Sequence, residues 1–303
     1  MKAVQFEQYG PPDVLHIAEV AMPVPSASQV QIAVHAAGVN PADYKWRAGM
    51  LAAFIPLKLP HIVGYDVAGV VSAIGADVQG LAVGDRVAAT VNAGYSEFAV
   101  AEAAHVAPMP AGMDFAQAAA LPCPALTGLE LIEEGVQPQA GQTVLVTGAT
   151  GGVGRFAVKA ANAMGVRVIG AVRRAYFDAA MALGASGVIA LGEDLPAGLQ
   201  FDHVADTVGG QTVAPLCHGL KASGRIVSAS SVPIPPDGLP TAPVFFAYHG
   251  DSVRLARILD LVAEGEIAMP VAKCLPLASA AHAQALVEAG GLAGRVVLKV
   301  DHD

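Results

Sequence analysis

Hydrophobic positions divide the chain into two textures. Up to about residue 113, short Val- and Ile-rich runs are broken by Gly, Pro and polar turns, as in QVQIAVHAAGV (29–39), DVAGVVSAIGADV (66–78) and DRVAATV (85–91). Such runs predict short strands joined by turns. Helical spacing begins only near Asp114, which is placed to cap a helix starting at Phe115. From about Gln142 strands and helices alternate: TVLVTG (143–148), VGRFAVKAANAMG (153–165), VRVIGAV (166–172), RRAYFDAAMALGA (173–185) and GVIAL (187–191). FDHVADTVGG (201–210) and GRIVSAS (224–230) add two more strands. Alternation of this kind predicts βαβ units and a parallel sheet. SVPIPPDGLPTAP (231–243) reads as a loop near the end of that sheet or as a linker. SVRLARILDLVAEGEI (252–267) then predicts an amphipathic helix, with Val253, Ala256, Leu259 and Val262 or Ile258 on its apolar side, and RVVLKV (295–300) a final strand.

Composition narrows the class. At 303 residues, two domains are expected. The 17 Lys and Arg against 26 Asp and Glu leave a net charge of −9, and no basic stripe speaks for nucleic acid as a partner. No apolar run is long enough to span a membrane, and MKAVQFEQYG lacks the apolar core of a secretory signal. Cys123, Cys217 and Cys274 are scattered and form no C-x-x-C pair, so a disulfide framework is not expected and a reducing cytoplasm is.

The chemistry concentrates in TGATGGVG (147–154). Gly148, Gly151 and Gly154 fall between a strand and a helix, where glycines let the backbone turn tightly against a pyrophosphate and the helix N-terminus faces the anion. Thr150, Gly152 and Val153 complete this candidate cofactor turn. A glycine cluster can also be a purely structural turn; here strand, turn, helix and second strand follow in order. After the second strand, Arg173 and Arg174 stand where an NAD site usually carries an acid. Guanidinium groups suit a 2′-phosphate, which predicts NADPH. The alternative is that both are solvated surface residues.

The ordered set YGPPDVL (9–15), AGVNPADYKWRAG (37–49), GYDVAGVV (64–71), VGDRV (83–87), GYSEFAV (94–100), AALPCPALTGLEL (119–131), TGATGGVG, DTVGG (206–210) and GRVVLKV (294–300) resembles the zinc-independent, quinone oxidoreductase-like branch of the medium-chain dehydrogenase/reductase superfamily. The resemblance implies an α/β fold: a Rossmann doubly wound parallel sheet at residues 116–245, and a GroES-like, mostly β substrate domain formed by 1–115 and 246–303. It implies an active site in the cleft between them. It adds Thr127, Ser228, Phe245 and Phe246 as cofactor contacts. Zinc-dependent relatives carry metal ligands at three motif positions that here read Asn40, Tyr65 and Cys123. One thiolate is not a catalytic zinc site. Cys123 is expected to be a small buried hydrophobe, and no metal is expected.

Without a Lewis acid, hydride transfer to a quinone or an α,β-unsaturated carbonyl is the implied reaction, with hydrogen-bond donors for the developing oxyanion. Asn40, Tyr44 and Lys45 are the candidate catalytic residues. Asn40 also reads as the residue holding the turn before Pro41, and Tyr44 as a core aromatic. Asp43 and Arg47 read as a structural pair. Trp46, Leu51, Phe54 and Tyr248 are candidates for an apolar acceptor pocket, with core packing the competing reading. Reduction of an enoyl thioester and a catalytically silent NADPH-binding role are the alternatives. The apolar last strand of the parallel sheet, near Pro243 to Ala247, predicts a homodimer.

Overall fold

A computed structural model describes residues 1–53 and 55–302. The chain forms two compact units, Met1–Cys123 with Gly250–Asp303, and Pro124–His249. The resemblance implies boundaries at 115/116 and 245/246. They fall later because the helix opened by Asp114 packs on strands of the first unit, and because Phe246 and His249 bond back to Ser228 and Glu130 of the second.

The first unit contains β1 (Lys2–Phe6), β2 (His16–Glu19), β3 (Gln29–Val39), α1 (Pro41–Arg47), β4 (His61–Ile62), β5 (Asp66–Ile74), β6 (Arg86–Thr90), β7 (Phe98–Glu102), β8 (Val106–Pro108) and α2 (Phe115–Ala119). The long strand β3 pairs antiparallel with both β5 and β7, so it organises the sheet. Its Val30, Ile32, Val34 and Val39 enter one apolar core with Val67, Val71, Val87 and Phe6. Asp114 caps α2 by accepting the Gln117 N–H at 2.7 Å, yet the helix runs for only five residues.

The second unit contains α3 (from Pro122, to Glu130), a π-helical turn at Leu131–Val136, β9 (Thr143–Thr147), α4 (Gly152–Ala163), β10 (Arg167–Val172), α5 (Phe177–Ala182), β11 (Gly187–Ala190), β12 (His203–Asp206), β13 (Ile226–Ser228) and β14 (Val244–Phe245). All six strands are parallel in the order β11-β10-β9-β12-β13-β14. Numbered along the chain this is 3-2-1-4-5-6, the doubly wound order. All five residues of β9 are buried, as a central strand covered on both faces requires. The expected parallel α/β sheet and β-rich companion are both present.

Two local expectations are corrected. Residues 173–176 are not regular α-helix: Arg173 is extended and Arg174–Tyr176 form a 3-10 turn before α5. The chain returns to the first unit through α6 (Ser252–Ala263), β15 (Val271–Pro276), α7 (Ala280–Ala289) and β16 (Arg295–Lys299). In α6 the buried residues are Leu255, Ile258, Leu259 and Val262, while Val253 is 78% exposed. Two positions before Leu255, Val253 is rotated about 200° from it around the helix. Among the described residues no helix is long and apolar enough to cross a membrane.

Candidate functional site

The glycine turn lies at the carboxyl end of β9. Gly148 takes φ 63°, a left-handed conformation that costs glycine nothing, and its N–H donates to Ala171 O at 2.8 Å. Gly151 is the N-cap of α4. A Cβ on Gly154 would meet Gly148 O at 2.1 Å, so only glycine lets the first turn of α4 close onto the loop. Gly128 of α3 is equally tight, its Cβ position 2.4 Å from Val153 O, and this brings α3, with the buried Thr127, against the same helix end. Thr150 lies in the turn, and Gly152 and Val153 open α4. Arg155, which the sequence reading passed over, folds back under it: Nη2 donates to Thr150 O at 2.9 Å and Nε to Gly151 O at 3.3 Å. The turn therefore has the cradle and helix end that a pyrophosphate needs.

Ser228, at the end of β13, does not present its hydroxyl outward. It donates to buried Asp206 and accepts from the Ser230 N–H at 3.1 Å. Arg173 and Arg174 both follow β10 at its carboxyl end, and both are exposed. Their environments differ. Arg174 makes a fork on Glu193, with Nε–Oε1 2.6 Å and Nη2–Oε2 2.5 Å. Arg173 makes no side-chain hydrogen bond or ion pair with the described residues. Phe245 and Phe246 are not at the glycine turn. They line a cavity of about 330 Å³ on the free edge of the sheet with Glu134, Arg225 and Val227, three strand positions from β9, or about 14 Å by inter-strand spacing.

In the first unit, Asn40 is the N-cap of α1 and is 3% exposed. Its amide is committed on both sides: Nδ2 donates to Asp66 Oδ2 at 2.9 Å, and Oδ1 accepts from Arg295 Nη2 at 2.5 Å. The structural reading of Asn40 is the one this geometry favours. Asp43 accepts the Asn40 N–H and the Tyr95 hydroxyl, both at 2.7 Å. Arg47 bonds Glu288 of α7 at 2.9 Å. The expected Asp43–Arg47 pair is thus corrected: residues four apart in the first helix point to different partners, because Asp43 is drawn to the helix N-terminus it caps.

Burial drives the titration of this cluster. It raises Asp43 to about 7, against the hydrogen bonds from Asn40 and Tyr95. It raises Asp66 to about 6, against the Arg295 guanidinium. Tyr65 is raised by burial first, then by Asp43 and Cys123. Tyr44 is raised by burial and by Glu288, and Lys45 is lowered by burial. Tyr44, Lys45 and Trp46 are all half-buried on α1, and Leu51 is half-buried in the turn that follows. Phe54 lies outside the described residues. Tyr248 is half-buried and belongs to the second unit. Cys123 is half-buried rather than buried, and its backbone N–H donates to Asp66 Oδ1 at 2.7 Å. Tyr95 and Arg295 are partners that the sequence does not single out, and Tyr65 stands out there only as the replacement of a metal ligand. Spacing carries no signal for Arg295, which arrives from the far end of the chain.

Zinc does not fit the cluster. Neither an amide bonded on both sides nor a phenol offers a ready ligand. The Arg295 guanidinium, 3.9 Å from Asp66 and bonded to Asn40, puts a fixed positive charge beside the place a metal would take.

Residues 26–112 match the family model "Alcohol dehydrogenase GroES-like domain" and residues 183–298 match "Zinc-binding dehydrogenase". The quinone oxidoreductase of Mus musculus is 39% identical over 173 residues, 56% of this chain and 52% of the relative, so the match spans about half the length of that curated protein. The solved structure of the quinone oxidoreductase from Coxiella burnetii is 30% identical and covers 99% of both chains with a TM-score of 0.89. That of the Escherichia coli quinone oxidoreductase complexed with NADPH is 27% identical, with a TM-score of 0.85 over 99% of this chain and 100% of the other.

Proposed function

Because the chain belongs to the quinone oxidoreductase-like branch of the medium-chain dehydrogenase/reductase superfamily, we propose that it is an NADPH-dependent reductase of quinones or α,β-unsaturated carbonyls that works without zinc. The observation that carries the reading is the cradle at Gly148, Gly151 and Gly154, closed so tightly that a Cβ at Gly154 has no room. Gly148, Thr150, Gly151, Gly152, Val153 and Gly154 would hold the pyrophosphate against the N-terminus of α4. Arg173, exposed and unpaired past the end of β10, would meet the 2′-phosphate. When bound, NADPH would supply the hydride.

The acceptor also needs a proton. Tyr44, Lys45 and Tyr65, half-buried on α1 and beside Asp66, are groups of the first unit that can hand one on. Burial holds the two phenols protonated through neutral pH and makes the Lys45 ammonium readier to give its proton up. Asn40 and Arg295 hold α1 and Asp66 in place. Asn40 and Tyr65, at two of the three positions where zinc-dependent relatives carry ligands, support acceptors that take hydride without a metal. A homodimer through β14 and a reducing cytoplasmic setting, suited to three free cysteines, belong to the same reading.

The test is consumption of NADPH against a panel of quinones, enones, enoyl thioesters and, in reverse with NADP⁺, simple alcohols. Turnover with quinones or enones, unaffected by chelator, is expected. Turnover with alcohols alone, lost on chelation, would overturn the reading. Tight NADPH binding with no turnover across the panel would point to the silent, non-enzymatic role.

A further inference from the structure

The doubly wound sheet reverses direction between β9 and β12, and a dinucleotide in this fold lies across the crevice at that switch. One buried carboxylate occupies the switch. Asp206 is the last residue of β12 and is fully buried. Its Oδ1 accepts the Thr147 hydroxyl from β9 at 2.5 Å, and its Oδ2 accepts the Ser228 hydroxyl from β13. The N–H groups of Val208 and Gly209, in the turn that follows, both donate to Oδ1 at 3.0 Å.

Further bonds extend the grip to the loops. The Thr207 N–H donates to Thr147 Oγ1 at 2.9 Å and the Thr207 hydroxyl to Thr147 O at 2.7 Å. Thr147 immediately precedes Gly148, where a Cβ would lie 2.7 Å from Thr207 Oγ1. Ser230, beyond β13, donates its hydroxyl to Val208 O at 2.8 Å. Three loops at the carboxyl ends of β9, β12 and β13 are therefore tied to one group. The first belongs to the half of the sheet that carries the glycine turn, the other two to the opposite half. A carboxylate is the side chain that can accept from four donors at once.

We propose that Asp206 is a positioning residue that holds the two halves of the dinucleotide crevice in register. The proposal rests on the NADPH reading above. Asp206 is too deeply buried to touch the nucleotide, so its effect passes through Thr147, Thr207 and the 206–209 turn. Its signature is selectivity by ligand length. Adenosine 2′,5′-bisphosphate occupies the half formed by β9, β10 and the glycine turn, whereas NADPH must span both halves.

The experiment measures dissociation constants of NADPH and adenosine 2′,5′-bisphosphate for the whole chain, with Asp206→Ala, Asp206→Asn and Thr147→Val. Asp206→Ala is expected to weaken NADPH by about tenfold and the bisphosphate by less than about twofold. Asp206→Asn keeps an acceptor for Thr147 and the turn amides, and should recover most of the loss. Thr147→Val removes the hydroxyl through which Asp206 and the Thr207 N–H reach β9, carries the test if Asp206→Ala fails to fold, and should show the same selectivity. Equal losses for both ligands, or no loss for either, would overturn the positioning role while leaving the NADPH reading intact. A wild-type protein that binds neither nucleotide would overturn both.

Discussion

Replacing Arg173 by Ala should cost NADPH affinity, and replacing Arg174 should not. Both arginines follow the strand end where the adenosine ribose arrives in this fold. Arg174 is already neutralised by the fork on Glu193 and would have to surrender bonds of 2.6 and 2.5 Å to reach a phosphate. Arg173 surrenders nothing. A charge-assisted hydrogen bond is worth about 1.5–3 kcal/mol. The Arg173 side is exposed, and solvent screening argues for the lower end of that range. At about 1.4 kcal/mol per decade the expected loss is about tenfold for NADPH. NADH lacks the 2′-phosphate and should bind Arg173→Ala as it binds the wild type. Arg174→Ala should shift NADPH by less than about threefold, and the double variant should match Arg173→Ala. Fluorescence titration with both nucleotides, at low and at high salt, reads all of these. The wild-type preference for NADPH should shrink as salt rises. Loss of NADPH affinity in Arg174→Ala with Arg173→Ala silent would refute the argument from pairing, and equal wild-type affinities for the two nucleotides would refute the 2′-phosphate site altogether.

Three further outcomes are expected. Asn40→Ala should lower stability by about 1–3 kcal/mol in denaturant unfolding, because it strips a partner from buried Asp66 and from Arg295; a normal unfolding curve with collapsed turnover would return Asn40 to the catalytic set. Asp43, raised to about 7, binds a proton more tightly folded than unfolded, so its burial penalty is absent below the ordinary carboxylate range and grows as pH rises toward 7. Wild type should therefore lose stability relative to Asp43→Asn between about pH 4 and 7, and parallel pH profiles for the two proteins would contradict this. Val244 and Phe245, 61% and 65% exposed on the edge strand, should mediate a homodimer that Phe245→Asp dissociates, and sedimentation of the wild type as a monomer at micromolar concentration would end that idea.

What the sequence determined by itself was local. QVQIAVHAAGV formed the strand it predicted, residue for residue, because an 11-residue Val- and Ile-rich run between turns has few other solutions. The glycine turn was legible because its function is a backbone shape, and only glycine accepts φ 63° at Gly148 or the 2.1 Å approach at Gly154. The α/β class followed from the change of periodicity near Gln142. Side-chain partnerships between distant segments were decided only by tertiary structure. Arg173 and Arg174 are equivalent in the sequence; Glu193, across a βα connection, separates the free guanidinium from the paired one. Asn40 read equally well as an oxyanion donor and as a turn residue, until Asp66 and Arg295 took both ends of its amide from 26 and 255 residues away. Asp206 lay in plain view in DTVGG, but nothing in its spacing announces four donors, since Thr147 and Ser228 meet it only when β9 and β13 flank β12 in the sheet. Periodicity and backbone conformation are set by neighbours along the chain, while the partners of a buried polar group are set by strand order, and strand order is a property of the folded sheet.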